Sequence, residues 1–198
     1  MPNLYIMAGP NGAGKTTAAY TLLPEVMKTK EFVNADEIAR GLSPFNVEAV
    51  AFEAGRIMLQ RIDHLMGQGV DLAIETTLST RSYVQTIRRA QKMGYFVSLY
   101  YFWIPSAEVS KERVAMRVSR GGHNIPPDVI ERRYGRSMFN LANLYMPVCD
   151  HFAVFNNAGV VPDMVATGGS DIEFVVLNKD IWKTILSYES KSGKVDSE

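Results

Sequence analysis

One cysteine, Cys149, stands among 198 residues, which excludes an intramolecular disulfide and a cysteine-rich zinc site and suits a reducing compartment. Lying alone in an apolar stretch, it reads as a small buried hydrophobe rather than a nucleophile. An excess of charge of either sign is also missing, since 21 Lys+Arg balance 21 Asp+Glu. No overall basic field therefore exists to hold nucleic acid, and an anionic partner must be gripped locally. The longest apolar run, residues 95–104, is interrupted by Ser98 and falls far short of the ~20 residues of a membrane span. The chain also lacks a basic leader with apolar core and cleavage site, a repeat, a low-complexity tract and a Pro/Ser-rich linker. These absences predict a soluble, cytoplasmic protein with neither nucleic-acid nor membrane partners. Hydrophobic content of 46% supports one well-buried core, so residues 1–189 read as a single domain and 190–198 as a frayed polar tail.

What is present begins at the N-terminus. Gly9-Pro10-Asn11-Gly12-Ala13-Gly14-Lys15-Thr16 fits G-x-x-x-x-G-K-[ST] and follows the apolar run Leu4 to Ala8, the context of a phosphate-binding loop between strand and helix. Its glycines let successive N–H groups converge on phosphate oxygens, Lys15 adds positive charge at the β/γ end, and Thr16 offers a hydroxyl to Mg²⁺. The helix expected from Thr16 and Thr17 onward points its positive end at the phosphates and is stopped by Pro24. Binding of ATP with Mg²⁺ is the expected consequence.

Strand-like runs at residues 4–8, 31–34, 70–75, 95–103 and 151–156 alternate with helix-period stretches. That alternation predicts an α/β architecture: a P-loop NTPase-like three-layer fold with a mostly parallel five-stranded sheet. Residues 47–67 form the clearest helix, with Phe52, Gly55, Ile57, Met58, Ile62, Leu65 and Met66 on its apolar stripe. Residues 171–178 alternate apolar and polar positions and predict a late antiparallel strand, followed by a closing helix over 181–188.

In such a sheet the ligand sits beyond the carboxyl ends of the strands, and two acids end apolar runs there: Asp36 after the second strand and Glu75 after the third. Asp36 is placed to take the proton of an acceptor hydroxyl, although Asp is also a preferred helix N-cap. Glu75 can reach Mg²⁺, directly or through water, or hold the acceptor, and Thr76, Thr77 and Ser79 add hydroxyls that suit sugar or phosphate oxygens. Between Lys111 and Arg136, seven Lys/Arg face three acids. Arg113, Arg117 and Arg120 share one helical face, and Gly121-Gly122 before His123 offers a hinge. Residues 106–136 thus read as a mobile arginine-bearing lid for a transferred phosphoryl group, although a solvated basic face gives the same pattern.

The phosphate loop Gly9 to Thr17, Asn34-Ala35-Asp36 placed 21 positions after Lys15, Ile74-Glu75-Thr76-Thr77-Leu78-Ser79, and Arg113 through Gly121-Gly122-His123 to Arg132-Arg133-Tyr134 together resemble the zeta toxin family. Its Gly-Gly-His lid is similar to that of a chromosomal branch. The resemblance implies a P-loop kinase that uses ATP and Mg²⁺ to phosphorylate the 3′-hydroxyl of a UDP-N-acetyl amino sugar, of which UDP-N-acetylglucosamine is the type. By position it implies Lys15 and Thr16 at triphosphate and metal, Asp36 as base, and Glu75 with Thr77 on the sugar nucleotide. It also implies Arg117 and Arg133 on the transferred phosphate, with Arg120, 13 residues before Arg133, fitting the same spacing. A separate antitoxin protein would be the macromolecular partner. Two other readings stay open: a kinase of another hydroxyl or nucleotide, and a nucleotide-dependent switch, for which the D-x-x-G, N-K-x-D and L-S-G-G-Q elements are absent.

Overall fold

The structure, a computed structural model, describes residues 1–188; the tail expected at 190–198 lies outside the described residues. Five parallel strands form its centre: β1 (Asn3–Ala8), β2 (Glu31–Val33), β3 (Leu72–Thr76), β4 (Phe96–Trp103) and β5 (His151–Asn156). Two antiparallel strands, β6 (Asp163–Gly169) and β7 (Val175–Val176), extend one edge, giving the order β2-β3-β1-β4-β5-β6-β7. The central strands read as near-continuous apolar runs because both faces are covered: Leu4, Ile6, Met7, Ala8, Leu72, Ile74, Val97 and Leu99 are fully buried.

Helices join the strands: α1 (Lys15–Glu25), α2 (Ala35–Leu42), α3 (Ala51–Gln68), α4 (Tyr83–Lys92), α5 (Ala107–Ser119), α6 (Pro127–Asn140) and α7 (Lys179–Leu186). Right-handed crossovers between parallel strands in this order place α1 on one face and α3 and α4 on the other. The expected three layers result. Strands β1 and β3 run in register, with Met7 opposite Glu75, so the carboxylate is brought to the rim where the phosphate loop leaves β1.

Several local expectations are revised. Strand β2 stops at Val33 because Asn34 turns out to cap α2, its Oδ1 accepting from the Asp36 N–H at 2.8 Å. Asp36 therefore sits in the first turn of α2 and is not its cap. Pro24 lies inside the last turn of α1, which ends one residue later. The late strand expected over 171–178 is only the pair Val175–Val176, whereas β6 went unread because Gly168 and Gly169 obscure its pattern. A Cβ on Gly169 would lie 2.1 Å from the Asp150 carbonyl oxygen, so close pairing with β5 requires glycine there. Phe52, expected in the core stripe of α3, is 91% exposed. The buried face of α3 carries Ala54, Met58, Ile62, Leu65 and Met66, and Phe52 lies about 200° around the helix from Ala54.

Helices α5 and α6 share an apolar cluster of Val114, Ile125 and Ile130, flanked by Val118 and Val129 and separate from the main core. The same helices are also anchored to the main body, Tyr134 Oη donating to Ile104 O at 2.8 Å and Tyr101 Oη lying 2.7 Å from Ser137 Oγ. Cys149 is buried, and burial pushes its thiol up to about 12, as suits a core residue rather than a nucleophile.

Candidate active site

The phosphate loop is shaped from behind by the protein. Gly9 has φ +144°, and a Cβ on it would lie 2.4 Å from the Phe102 carbonyl oxygen. Gly9→Ala is therefore expected to cost about 3 kcal/mol through strain and overlap, measured as a lower urea midpoint. The carbonyls of the loop turn outward to protein donors. Ser110 Oγ donates to Asn11 O, Arg113 Nη1 to Gly12 O at 3.4 Å, and Asn157 Nδ2 to Ala13 O at 2.6 Å. Arg113 also binds the carbonyls of Asn157 and Ala158, each at 3.0 Å. With these carbonyls engaged outside, the loop N–H groups other than that of Ala13, which donates to Pro10 O at 3.2 Å, are left to the concave side, forming an anion cradle. Helix α1 opens on Gly14 with no side-chain cap and no acid in its first turn, so its free N–H groups add to that cradle.

Lys15 is only 6% exposed. Its Nζ donates to Pro10 O at 3.1 Å and lies 3.7 Å from Glu75 Oε1. The other carboxylate oxygen of Glu75 accepts from Thr16 Oγ1 at 2.7 Å and Asn34 Nδ2 at 2.8 Å. A hydroxyl and a carboxylate side by side at a phosphate cradle are hard oxygen donors of the kind Mg²⁺ takes alongside water and phosphate oxygens. Thr16 and Glu75 thus fit the ion. Asp36 is exposed at the mouth, and among the described residues no ion pair or hydrogen bond engages its carboxylate.

The segment after β3 is held in a strained form. Leu78 is buried with φ +55°, a conformation costly for a branched residue. It persists because Thr76 Oγ1 accepts from Leu78 N at 3.1 Å, Asn140 Nδ2 donates to Leu78 O at 2.6 Å, and Tyr145 Oη donates to Thr80 O at 2.6 Å. This fixes Thr77, whose Oγ1 lies 2.8 Å from Ser79 Oγ. Asn140→Ala leaves the Leu78 carbonyl buried and unpaired, at a cost of about 1–3 kcal/mol. The expected signature is a lower melting temperature in thermal unfolding.

These groups converge on one cleft of about 870 Å³. Of the residues singled out from the sequence, Asn11, Gly12, Gly14, Lys15, Thr16, Thr17, Asp36, Glu75, Thr77, Arg117 and Arg133 line it. Gly9, Pro10 and Ala13 support the loop outside that lining, and Arg120 faces a neighbouring depression of about 450 Å³ with Arg40 and Gly121. Among the described residues, five cationic side chains and two carboxylates line the cleft, so it favours an anion. Arg117 Nη2 donates to His123 O at 2.8 Å, while its buried Nε has no partner.

Asn157, Ser110 and Asn140 were missed in the sequence as parts of the site. Asn157 follows the end of β5, where the strand-end rule could have found it. Ser110 and Asn140 sit within helices and act through contacts that no local pattern reveals.

The zeta toxin family model matches residues 1–162. An uncharacterized protein of Haemophilus influenzae is 31% identical over 126 residues, 64% of this chain and 88% of that protein. A chain of the AvrRxo1-ORF1:AvrRxo1-ORF2 complex with sulphate ions superposes with a TM-score of 0.78 at 22% identity, covering 96% of this chain. The present chain spans 65% of that one. A chain of the PezAT chromosomal toxin-antitoxin system of Streptococcus pneumoniae gives a TM-score of 0.62 at 17% identity, covering 95% of this chain and 86% of that chain. At such identities the structural likenesses bear on the fold alone. No helix among the described residues is long and apolar enough to cross a membrane. With the family model spanning the phosphate loop, both strand-end acids and the arginine helices, the chain belongs to the zeta toxin family.

Proposed function

We propose that this protein is an ATP-dependent kinase that transfers the γ-phosphoryl group to a hydroxyl of a small acceptor, with a UDP-N-acetyl amino sugar such as UDP-N-acetylglucosamine as the substrate. The observation that carries this reading is an unengaged carboxylate, Asp36, in the same cleft as the phosphate cradle and Lys15. A switch that only binds nucleotide needs no such base, and a hydrolase needs one only for water rather than beside an open acceptor space.

Phosphoryl transfer passes through a loose transition state in which charge spreads over the phosphoryl oxygens, so positioning and electrostatics carry the catalysis. Lys15 and the N–H groups of the loop hold the triphosphate. Thr16 and Glu75 would hold Mg²⁺, which would supply charge neutralisation to the triphosphate. Asp36 accepts the proton of the attacking hydroxyl, and Thr77 with Glu75 orients the acceptor. Arg117 and Arg133, carried on the α5–α6 pair, stabilise the transferring group; Arg120 reaches it only if that pair shifts. A separate antitoxin protein is the proposed macromolecular partner, in keeping with the toxin-antitoxin complex among the structural relatives.

The test is ADP release with ATP and UDP-N-acetylglucosamine. Acceptor-dependent ADP supports the assignment. Its absence removes that substrate, and a failure of every hydroxyl acceptor to accelerate ADP release removes the kinase.

A further inference from the structure

We propose that the open edge of β7 is the interface through which two copies of this chain pair about a two-fold axis, their sheets joining antiparallel into one. The inference is independent of the kinase reading above. It concerns the part of the chain that lies beyond or at the end of the residues matched by the family model, 1–162: β6, β7 and α7. Strand β7 ends the sheet on that side, and α7 turns back onto β6 and α6.

The two edges of the sheet differ. At the β2 edge, Arg61 of α3 donates to Glu31 Oε2 at 2.6 Å and the Tyr20 ring of α1 meets Phe32 edge-on, so side chains of both helices lie against the strand. At the β7 edge, Ile172, Phe174, Val175 and Leu177 all stay exposed within six consecutive positions, residues 172–177. Phe174 is still 54% exposed after meeting the rings of Phe152 and Trp182. Residues 171–178 contain no proline or lysine, the residues with which an edge usually discourages pairing. The backbone is open as well. Leu177 N–H donates to Val165 O at 2.8 Å, so by antiparallel alternation Val176 turns its own N–H and C=O away from β6.

Charge placement selects a second copy as the occupant. Asp171 and Glu173 precede β7, whereas Lys179 and Lys183 follow it. All four are exposed, and among the described residues no ion pair or hydrogen bond engages their charged groups. Lys179 is the first residue of α7, where the helix dipole disfavours a cation, and no contact of its side chain among the described residues offsets that cost. Because the outward backbone groups fall on Val176 and every second residue from it, a two-fold antiparallel pairing must set even-numbered residues opposite one another. Centred on Val175, Phe174 faces Val176 of the other copy and Asp171 comes alongside its Lys179. Centred on Val176, Glu173 takes the place of Asp171. Either register sets acid against lysine twice, once on each side of the axis. An in-register parallel pairing would set acid beside acid.

Sedimentation velocity of the full chain tests this over about 1 to 300 μM, a range that reaches the weak end of specific interfaces. A monomer–dimer equilibrium is expected, weaker at high salt. Reversing both acids, Asp171→Lys with Glu173→Lys, or the cation alone, Lys179→Glu, should each weaken dimerisation by about 10- to 100-fold, since two attractive pairs become repulsive. An equimolar mixture of the two variants should associate nearly as the wild type does, because each lysine again meets an acid. These positions are exposed, so melting temperatures should stay close to the wild type. Amide exchange at Val176 should slow as protein concentration rises. A monomer throughout, growth beyond the dimer, or a mixture that associates no better than either variant alone overturns the proposal. Association that appears only once residues 189–198 are removed assigns the edge to the chain's own tail and overturns it as well.

Discussion

Lys15→Ala is expected to lower kcat/KM for ATP by about 100- to 1,000-fold, the range seen when one preorganised charge on a reacting group is removed. Lys15 is buried, its ammonium held between Pro10 O and the Glu75 carboxylate. The side chain thus delivers a fixed charge at a water-poor site, where it acts more strongly than a flexible surface lysine does. Removing it also leaves Glu75 with only Thr16 and Asn34 as partners, so a carboxylate faces the phosphates uncompensated. Lys15→Met, which keeps most of the volume, separates charge from packing: it should match Lys15→Ala in nucleotide affinity while melting close to the wild type. Titration with a fluorescent ATP analogue, beside thermal melts, reads both quantities.

Asp36→Asn has the second large expected effect, and it falls on a different step. Losing a general base costs about 10²- to 10⁴-fold in the acceptor-dependent rate. Because the Asp36 carboxylate engages no partner among the described residues, its replacement disturbs no network. The cap of α2 belongs to Asn34 and survives the change. ATP affinity and melting temperature should therefore stay near wild type while transfer collapses. A parallel loss of ATP affinity would assign Asp36 to the nucleotide instead.

The contrast between Asn34 and Asp36 illustrates what could be read from the chain and what could not. An aspartate just after a strand is both a good cap and a good base, and only the backbone shows that its neighbour two places earlier holds the cap. The phosphate loop was legible because its chemistry is local: glycines, lysine and threonine at fixed spacing between a strand and a helix. The five parallel strands were legible because burial on both faces makes them continuous apolar runs. Strand β6 was not, since the glycines that let it approach Asp150 and Phe152 also look like a turn. Phe52 misled for a related reason, as an aromatic near a helical stripe is usually core, and only the third dimension shows it facing the cleft.

The parts of the site supplied by distant helices were the hardest to foresee. Ser110 supports Asn11 across 99 residues and Asn157 supports Ala13 across 144; the first leaves no trace in local sequence, and only the position of Asn157 just past a strand end hints at the second. Arg113 was visible as one of a basic triplet, yet the structure employs it as an anchor between the loop and residues 157–158. Its stripe partner Arg117 lines the cleft, and Arg120 the depression beside it. Equal spacing along a helix thus yields three different environments, set by what each guanidinium meets.

The most direct measurement follows γ-labelled phosphate from ATP in wild type and Asp36→Asn at matched nucleotide occupancy, with UDP-N-acetylglucosamine and a panel of other hydroxyl acceptors. Label is expected on an acceptor hydroxyl with the wild-type protein, and at least about a hundredfold more slowly with the variant. Label released only as inorganic phosphate, at the same rate in both proteins, would contradict a cleft in which the phosphate loop and Asp36 act on one transfer.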